Sequence, residues 1–364
     1  MAKIVIDARE YTTSTGRYMF RLLQYLEKID HENHYLILLK PEDMNIYAFS
    51  NPNFSKIPTP FREFSFGEQI GLAKQLYTLK ADLVHFGMVQ QPILYLKRTV
   101  TTIHDLTTLR FTNPAKNPVV FKVKQFIYAI VIWVAAHKSK QIIVASNYVK
   151  KDLLDYANIN PAKITITSES ADRITDAPES LQNLIDKPFL MYIGRPTPHK
   201  NLWRLIKAFD QLKEKHPDLV LALAGKLDAN YQSIQTKVQE AGIKNVVFCG
   251  LVSEGQLRWL YEHCRAYVFP SLSEGFGLPG LEAMAHGAPV VSSQATCLPE
   301  IYGDGAIYFN PIDIDDMAQT IDKVLSGEQL RQKLIRAGSK RLEIYSWEKM
   351  AQETLAVYNK ALSN

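Results

Sequence analysis

Ala266-Tyr267-Val268-Phe269-Pro270-Ser271-Leu272-Ser273-Glu274-Gly275-Phe276-Gly277-Leu278-Pro279-Gly280-Leu281-Glu282-Ala283 reads as a strand, a glycine-rich turn and the start of a helix. The unbroken apolar run Ala266–Phe269 suits a parallel strand buried on both faces. Pro270 ends it, Gly275 and Gly277 free the turn, and Pro279 stands near the first helical position, where its missing N–H costs nothing. A strand passing into a helix in this way is half of a βαβ unit. The same alternation continues on both sides. Phe189–Ile193, Leu219–Ala224, Val246–Cys249 and Pro289–Ser292 read as further strands, with a helix over Leu202–Leu212. Earlier in the chain the strands are Lys3–Asp7, Tyr35–Leu39, Asp82–Phe86, Thr99–Ile103, Gln141–Ala145 and Lys163–Thr167. Arg17–Glu27 places Met19, Leu22, Leu23 and Leu26 on one helical face. Between the two series, Ser168–Lys187 turns polar around Pro178 and loses its apolar period, as a linker does. The reading is α/β, with two doubly wound domains over residues 1–172 and 188–344 and a linker at 173–187. A final helical stretch, about Leu342 to Leu362, offers Trp347, Met350 and Tyr358 for packing.

A length of 364 residues suits two such domains. Hydrophobic residues at 46% and charged residues at 22% set aside disordered, collagen-like and disulfide-scaffold classes. The net charge of +5 is spread along the chain without a Lys/Arg-rich run, so nothing specific points to nucleic acid. Cys249, Cys264 and Cys297 form no C-x-x-C pair, which argues against a zinc site and for a reducing cytoplasm. The start of the chain resembles a strand rather than a signal peptide. Phe126–Ala136, about eleven apolar residues, is shorter than the roughly 20 needed to span a bilayer. It is expected to be a buried helix; the alternative is a membrane-contacting helix flanked by Lys122, Lys124, Lys138 and Lys140.

Three segments carry chemistry. The turn Gly275-Phe276-Gly277-Leu278 offers backbone N–H groups at a helix N-terminus, a site for phosphate or diphosphate. Glu282, about one turn into the helix, can accept hydrogen bonds from a ribose diol, and Glu274 can hold sugar hydroxyls beyond the diphosphate. Gly194-Arg195-Pro196-Thr197-Pro198-His199-Lys200-Asn201 follows a strand and precedes a helix. Cations there oppose the helix dipole unless an anion compensates, so Arg195 and Lys200 point to a bound anion. His104-Asp105 ends a strand of the first domain, where open sheets bind ligands. The loop Asp7 to Tyr18, with Ser14-Thr15-Gly16, lacks the dinucleotide glycine pattern, although Gly16 can still lend its N–H to a phosphate.

With Ala285-His286-Gly287-Ala288-Pro289-Val290-Val291 following, Glu274 and Glu282 match the E-x7-E element of the retaining GT-B glycosyltransferases of family GT4, which the chain resembles over nearly its whole length. That resemblance implies the GT-B arrangement of two Rossmann-like domains, donor in the second, acceptor in the first, with the C-terminal helix (345–364) returning to the first domain at Tyr345-Ser346-Trp347-Glu348. It implies that Arg195 and Lys200 bind the donor diphosphate and stabilise it as it leaves, without a metal ion. His104 is then a contact to the transferred sugar, and Val252 lies where relatives touch the base. Asp82-Leu83-Val84-His85-Phe86 with Ile103-His104-Asp105-Leu106 looks most like the mannosyltransferase branch. Two departures stand out: Ser14-Thr15-Gly16 where relatives often have paired glycines, and Thr167-Ser168-Glu169-Ser170-Ala171-Asp172 where many have Pro-Asn-Gly-Val-Asp.

The expected activity is transfer of a hexose, with retained configuration, to a glycan or lipid-linked acceptor. The expected donor is GDP-mannose, with a UDP-sugar as the alternative, and no cofactor is expected. The expected location is the cytoplasm, and the basic surplus permits peripheral contact with the inner face of the membrane. A nucleotide-sugar epimerase or dehydrogenase would want the missing dinucleotide loop. A non-catalytic sugar-nucleotide-binding protein would not need Arg195, Lys200, Glu274, Glu282 and His104 together.

Overall fold

The apolar runs become the strands of two all-parallel sheets. The structure is a computed structural model that describes residues 1–12, 16–63, 65–112 and 117–363. It divides into two units: Met1–Leu109 with Lys122–Glu169 and Ser346–Asn364, and Arg110–Phe121 with Ser170–Tyr345.

In the first unit the strands are β1 (Lys3–Asp7), β2 (His34–Leu39), β3 (Phe54–Pro58), β4 (Leu83–Phe86), β5 (Thr99–Thr102), β6 (Gln141–Val144) and β7 (Ile164–Ile166). Their order is β3-β2-β1-β4-β5-β6-β7. In the second they are β8 (Phe189–Ile193), β9 (Val220–Ala224), β10 (Val246–Gly250), β11 (Ala266–Phe269), β12 (Val290–Ser293) and β13 (Ala306–Phe309), ordered β10-β9-β8-β11-β12-β13. Each order reverses beside the unit's first strand, between β1 and β4 and between β8 and β11. A crevice opens outside the carboxyl ends of the strands at such a reversal, and ligands bind there. Val220–Ala224 and Ala266–Phe269 are fully or almost fully buried, which is why they read as continuous apolar runs.

β3 and β13 were not recognised in the sequence. Each lies at the edge of its sheet, with one neighbouring strand. Both are only partly buried, and Phe54-Ser-Lys-Ile-Pro also breaks its apolar run at Ser55 and Lys56. The C-terminal stretch also differs: one helix, Glu328–Leu342, ends before a second, Trp347–Ser363, begins. Trp347, Met350 and Tyr358 of the second helix are buried in the first unit. Tyr358 Oη lies 2.6 Å from His85 Nδ1, and His85 Nε2 lies 2.8 Å from Thr102 Oγ1. This joins the C-terminal helix to β4 and β5.

The expectation of a buried helix around Phe126–Ala136 is overturned. The helix runs Pro118–Lys138, 21 residues, and is long and apolar enough to cross a membrane by length and composition. Only Ile132, Ala135 and Ala136 are buried, in the cluster with Ile103, Ile142, Val144 and Leu153. Val123, Phe126, Ile127, Ile130 and Trp133 are exposed. The apolar run marked a helix, but it did not show which side would find a partner.

His85 carries a pH dependence. Burial, and secondarily the neighbouring His104, push its imidazole down to about 3, against about 6.5 in an unfolded chain. The folded form therefore holds it neutral. The resulting stability is present above pH 6.5 and is lost as pH falls toward 3, because the unfolded chain takes the proton first. Stability should drop by roughly 2 kcal/mol between pH 6.5 and pH 5 from this group. Urea unfolding across that range should show the slope, and His85→Gln should flatten it; an equal slope in the variant would contradict the assignment.

Candidate functional site

The turn after β8 carries Arg195 and Lys200, and the turn after β11 carries Glu274 through Gly277. These are the two strands that flank the reversal in the second sheet. Lys200 closes a short 3₁₀ turn, Pro198–Lys200, and Asn201 follows it with φ 59°. The Asn201 amide donates to the carbonyls of Pro270 (3.0 Å) and Pro311 (2.7 Å), while Leu272 N–H donates to His199 O (2.7 Å). Buried backbone carbonyls need donors, and here they find them across the gap between the two turns. The consequence is that Lys200 Nζ meets Glu274 Oε1 at 2.6 Å. Lys200 also lies over the Phe269 ring, 5.5 Å from its centroid.

Glu274 is held at its backbone. Its N–H donates to Thr296 Oγ1 (3.1 Å), and Cys297 Sγ lies 3.3 Å from its carbonyl. Gly277 caps the helix Leu278–Ala285 with φ 94°, a conformation that a residue with a Cβ adopts only under strain. A Cβ there would also stand 2.6 Å from Tyr302 Oη and 2.7 Å from Leu298 Cδ2. Tyr302 Oη donates to Gly277 O and so fixes the turn. Phe276 is buried, its ring edge-on to Tyr345 with centroids 5.4 Å apart. Gly275 lies in the turn between Glu274 and Phe276. Leu278, the first residue of that helix, carries one of its free N–H groups.

Glu282 sits one turn into the helix and is buried, with Tyr261 Oη 3.3 Å from Oε2. Arg195 does not join the Lys200–Glu274 pair. Its guanidinium is 65% exposed and reaches Asp228 at 3.1 Å. Asp228 also caps the helix Ala229–Glu240, accepting from Asn230 and Tyr231 N–H. Burial opposes charge on Asp228, but these hydrogen bonds and Arg195 hold its carboxyl below the usual range. Val252 is half-buried just past β10, ahead of a helix whose Ser253 and Gln256 cap it reciprocally.

His104 and Gly16 belong to the first unit. Gly16 opens the helix Gly16–Ile29, where a Cβ would come 2.1 Å from Tyr11 O. Ser14 and Thr15 lie outside the described residues. His104 follows β5, edge-on to Tyr18 with centroids 5.0 Å apart. Its Nε2 lies 3.1 Å from Gly87 O and its Nδ1 3.3 Å from Glu169 Oε1. Burial disfavours the charged ring, yet the hydrogen bond and charge of Glu169, then Asp105 and the Gly87 carbonyl, raise its pKa above the ordinary value. With both ring nitrogens facing acceptors, the side chain is arranged to hold a proton.

Asn201, Thr296, Asp228, Tyr302 and Glu169 were not assigned roles in the sequence. Asn201 and Glu169 lay inside quoted motifs, but their partners are 69 and 65 residues away, respectively, or more. Among the described residues no group of three or more His, Cys, Asp or Glu could hold a metal ion.

The family model described as "Glycosyl transferases group 1" matches residues 174–341, and "Glycosyltransferase Family 4" matches residues 15–173. The chain is 29% identical to O-antigen chain mannosyltransferase B of Escherichia coli, over 72% of this chain and 70% of that protein. It is 27% identical to the serotype-specific mannosyltransferase WbdA of the same species over 73% of this chain, but spans about a third of that longer protein. Among solved structures, Anabaena HepE in complex with UDP-glucose superposes with a TM-score of 0.71 at 16% identity, covering 99% of this chain and 100% of that one.

Proposed function

The chain belongs to the GT4-type GT-B glycosyltransferases, and from that premise we propose that it transfers mannose from GDP-mannose to a glycan or lipid-linked acceptor, with retention of configuration and without a metal ion. The observation that carries the reading is the Lys200–Glu274 pair beside the glycine-capped helix end, at the reversal of the second sheet. A cation and a carboxylate beside a helix N-terminus suit a sugar diphosphate.

In this mechanism the bond from the anomeric carbon to the diphosphate oxygen breaks, and the acceptor oxygen bonds to that carbon on the same face. The acceptor proton passes to the departing diphosphate oxygen. Lys200, Arg195 and the amides near Gly277 and Leu278 stabilise the negative charge that develops there. Glu274 holds the sugar hydroxyls and Glu282 the ribose diol. His104 contacts the transferred sugar, Val252 touches the base, and Gly16 offers its N–H to a phosphate. Mannosyl transfer is supported by the names of the E. coli relatives. A UDP-sugar donor is the second reading, favoured by the UDP-glucose bound to the HepE neighbour.

Thermal-shift titration distinguishes them, since a ligand stabilises the fold according to its affinity. GDP and GDP-mannose should raise Tm more than UDP, UDP-glucose or ADP, and transfer should persist in excess EDTA. A larger shift with UDP-sugars would move the donor assignment, and loss of transfer restored by magnesium would overturn metal independence.

A further inference from the structure

The outer face of the helix Pro118–Lys138 has no use in the donor chemistry, and its composition is one-sided. At roughly 100° per residue, Val123, Phe126, Ile127, Ile130 and Trp133 fall within an arc of about 120°. Buried Ile132, Ala135 and Ala136 fall on the opposite side. Phe126 is 68% exposed and Trp133 50%. Lys122 and Lys124, both exposed, leave the helix on either flank of the stripe. At its C-terminal end the Lys138 ammonium donates to the carbonyls of Pro92 (2.8 Å) and Tyr95 (3.2 Å). That contact sets the exposed Leu94 and Leu96, with Lys97 and Arg98 next to them, beside the same helix.

Charge identifies the occupant. From Leu83 to Lys151 the sequence holds ten Lys or Arg and a single carboxylate, Asp105. An apolar stripe flanked by Lys122 and Lys124, with a tryptophan in it, matches the plane of an anionic bilayer: apolar groups enter the acyl boundary and lysines reach phosphates. We propose that this helix docks the first unit onto membranes carrying anionic lipid headgroups. The helix lies on the bilayer and does not cross it. Its inner side is anchored by Ile132, Ala135 and Ala136 in the core and by hydrogen bonds from Gln125 to Thr108 O (2.7 Å), Tyr156 to Ala129 O (2.8 Å) and Lys163 to Ala136 O (3.0 Å). Spanning would break all of these.

The test is co-sedimentation of the full chain with vesicles of phosphatidylcholine containing about a quarter phosphatidylglycerol, against phosphatidylcholine alone. The anionic vesicles should bind it at least about ten-fold more tightly, with a blue shift of tryptophan emission. The exposed-face variants Phe126→Ser/Ile130→Ser and Lys122→Glu/Lys124→Glu should each lose most of this binding while keeping the wild-type Tm and nucleotide-induced shift. Unbound wild-type protein, variants that bind like wild type, or equal binding to neutral vesicles would overturn the proposal. So would a stable dimer that Phe126→Ser/Ile130→Ser dissolves, since a second copy would then cover the face. The nucleotide response and transfer to a soluble acceptor read the donor site separately, so either assignment can fail without the other.

Discussion

Lys200→Ala should lower kcat/KM for transfer by at least about 100-fold, or about 2.7 kcal/mol of transition-state stabilisation, and Glu274→Ala should do the same. Lys200 Nζ lies 2.6 Å from Glu274 Oε1, and both side chains are mostly shielded from water, so each is placed and neutralised before any ligand arrives. When a diphosphate leaves, the developing charge falls on a cation that needs no reorganisation. A purely structural ion pair predicts something else: either variant would lower Tm but leave turnover per folded molecule intact. Steady-state kinetics normalised to folded protein, with circular dichroism and Tm on the same preparations, separate the two. Near wild-type turnover in a folded Lys200→Ala protein would sink the assignment. Lys200→Arg retains the charge but brings a planar fork into a place shaped for a compact ammonium, so it should recover only part of the rate.

The second large effect is expected at a residue without a functional group. Gly277→Ala forces a Cβ into φ 94° and places it 2.6 Å from Tyr302 Oη and 2.7 Å from Leu298 Cδ2. Strain and overpacking together should cost about 2–4 kcal/mol of stability. The turn should move as well, so the Tm increase caused by nucleotide should shrink sharply. Denaturant unfolding and nucleotide thermal shift measure the two parts. Because the closest atom is a hydroxyl, Gly277→Ala/Tyr302→Phe should recover part of the stability. A Gly277→Ala protein with wild-type stability and nucleotide response would show that the turn does not depend on this geometry.

These predictions rest on information of two kinds. Residue types at the site were legible because the chemistry needs particular groups next to particular backbone features: Arg195 and Lys200 before a helix, Glu274 and Glu282 around a glycine turn. Their partners were not. Arg195 could be named as an anion ligand, but its carboxylate, Asp228, lies beyond β9 and serves also as a helix cap. His104 could be placed at a strand end, whereas the charge state it favours comes from Glu169, brought to it by the segment after β7. The exposed face of the Pro118–Lys138 helix was invisible for a related reason. A helix apolar all round has no periodicity to say which side is covered.

By itself the sequence determined the elements whose environment is uniform. Strands such as Val220–Ala224 and Ala266–Phe269, buried on both faces, are apolar throughout, so they and the strand–turn–helix junctions could be read from composition alone. Of the four edge strands, β7 and β10 could be read and β3 and β13 were missed. The tertiary structure alone decided which distant groups meet: Asn201 with Pro270 and Pro311, Tyr302 with Gly277, Lys200 with Glu274. Strand order at the β8–β11 reversal brings these turns together. Ion-pair and hydrogen-bond energies depend on separations of a few ångströms, which no spacing along a chain specifies.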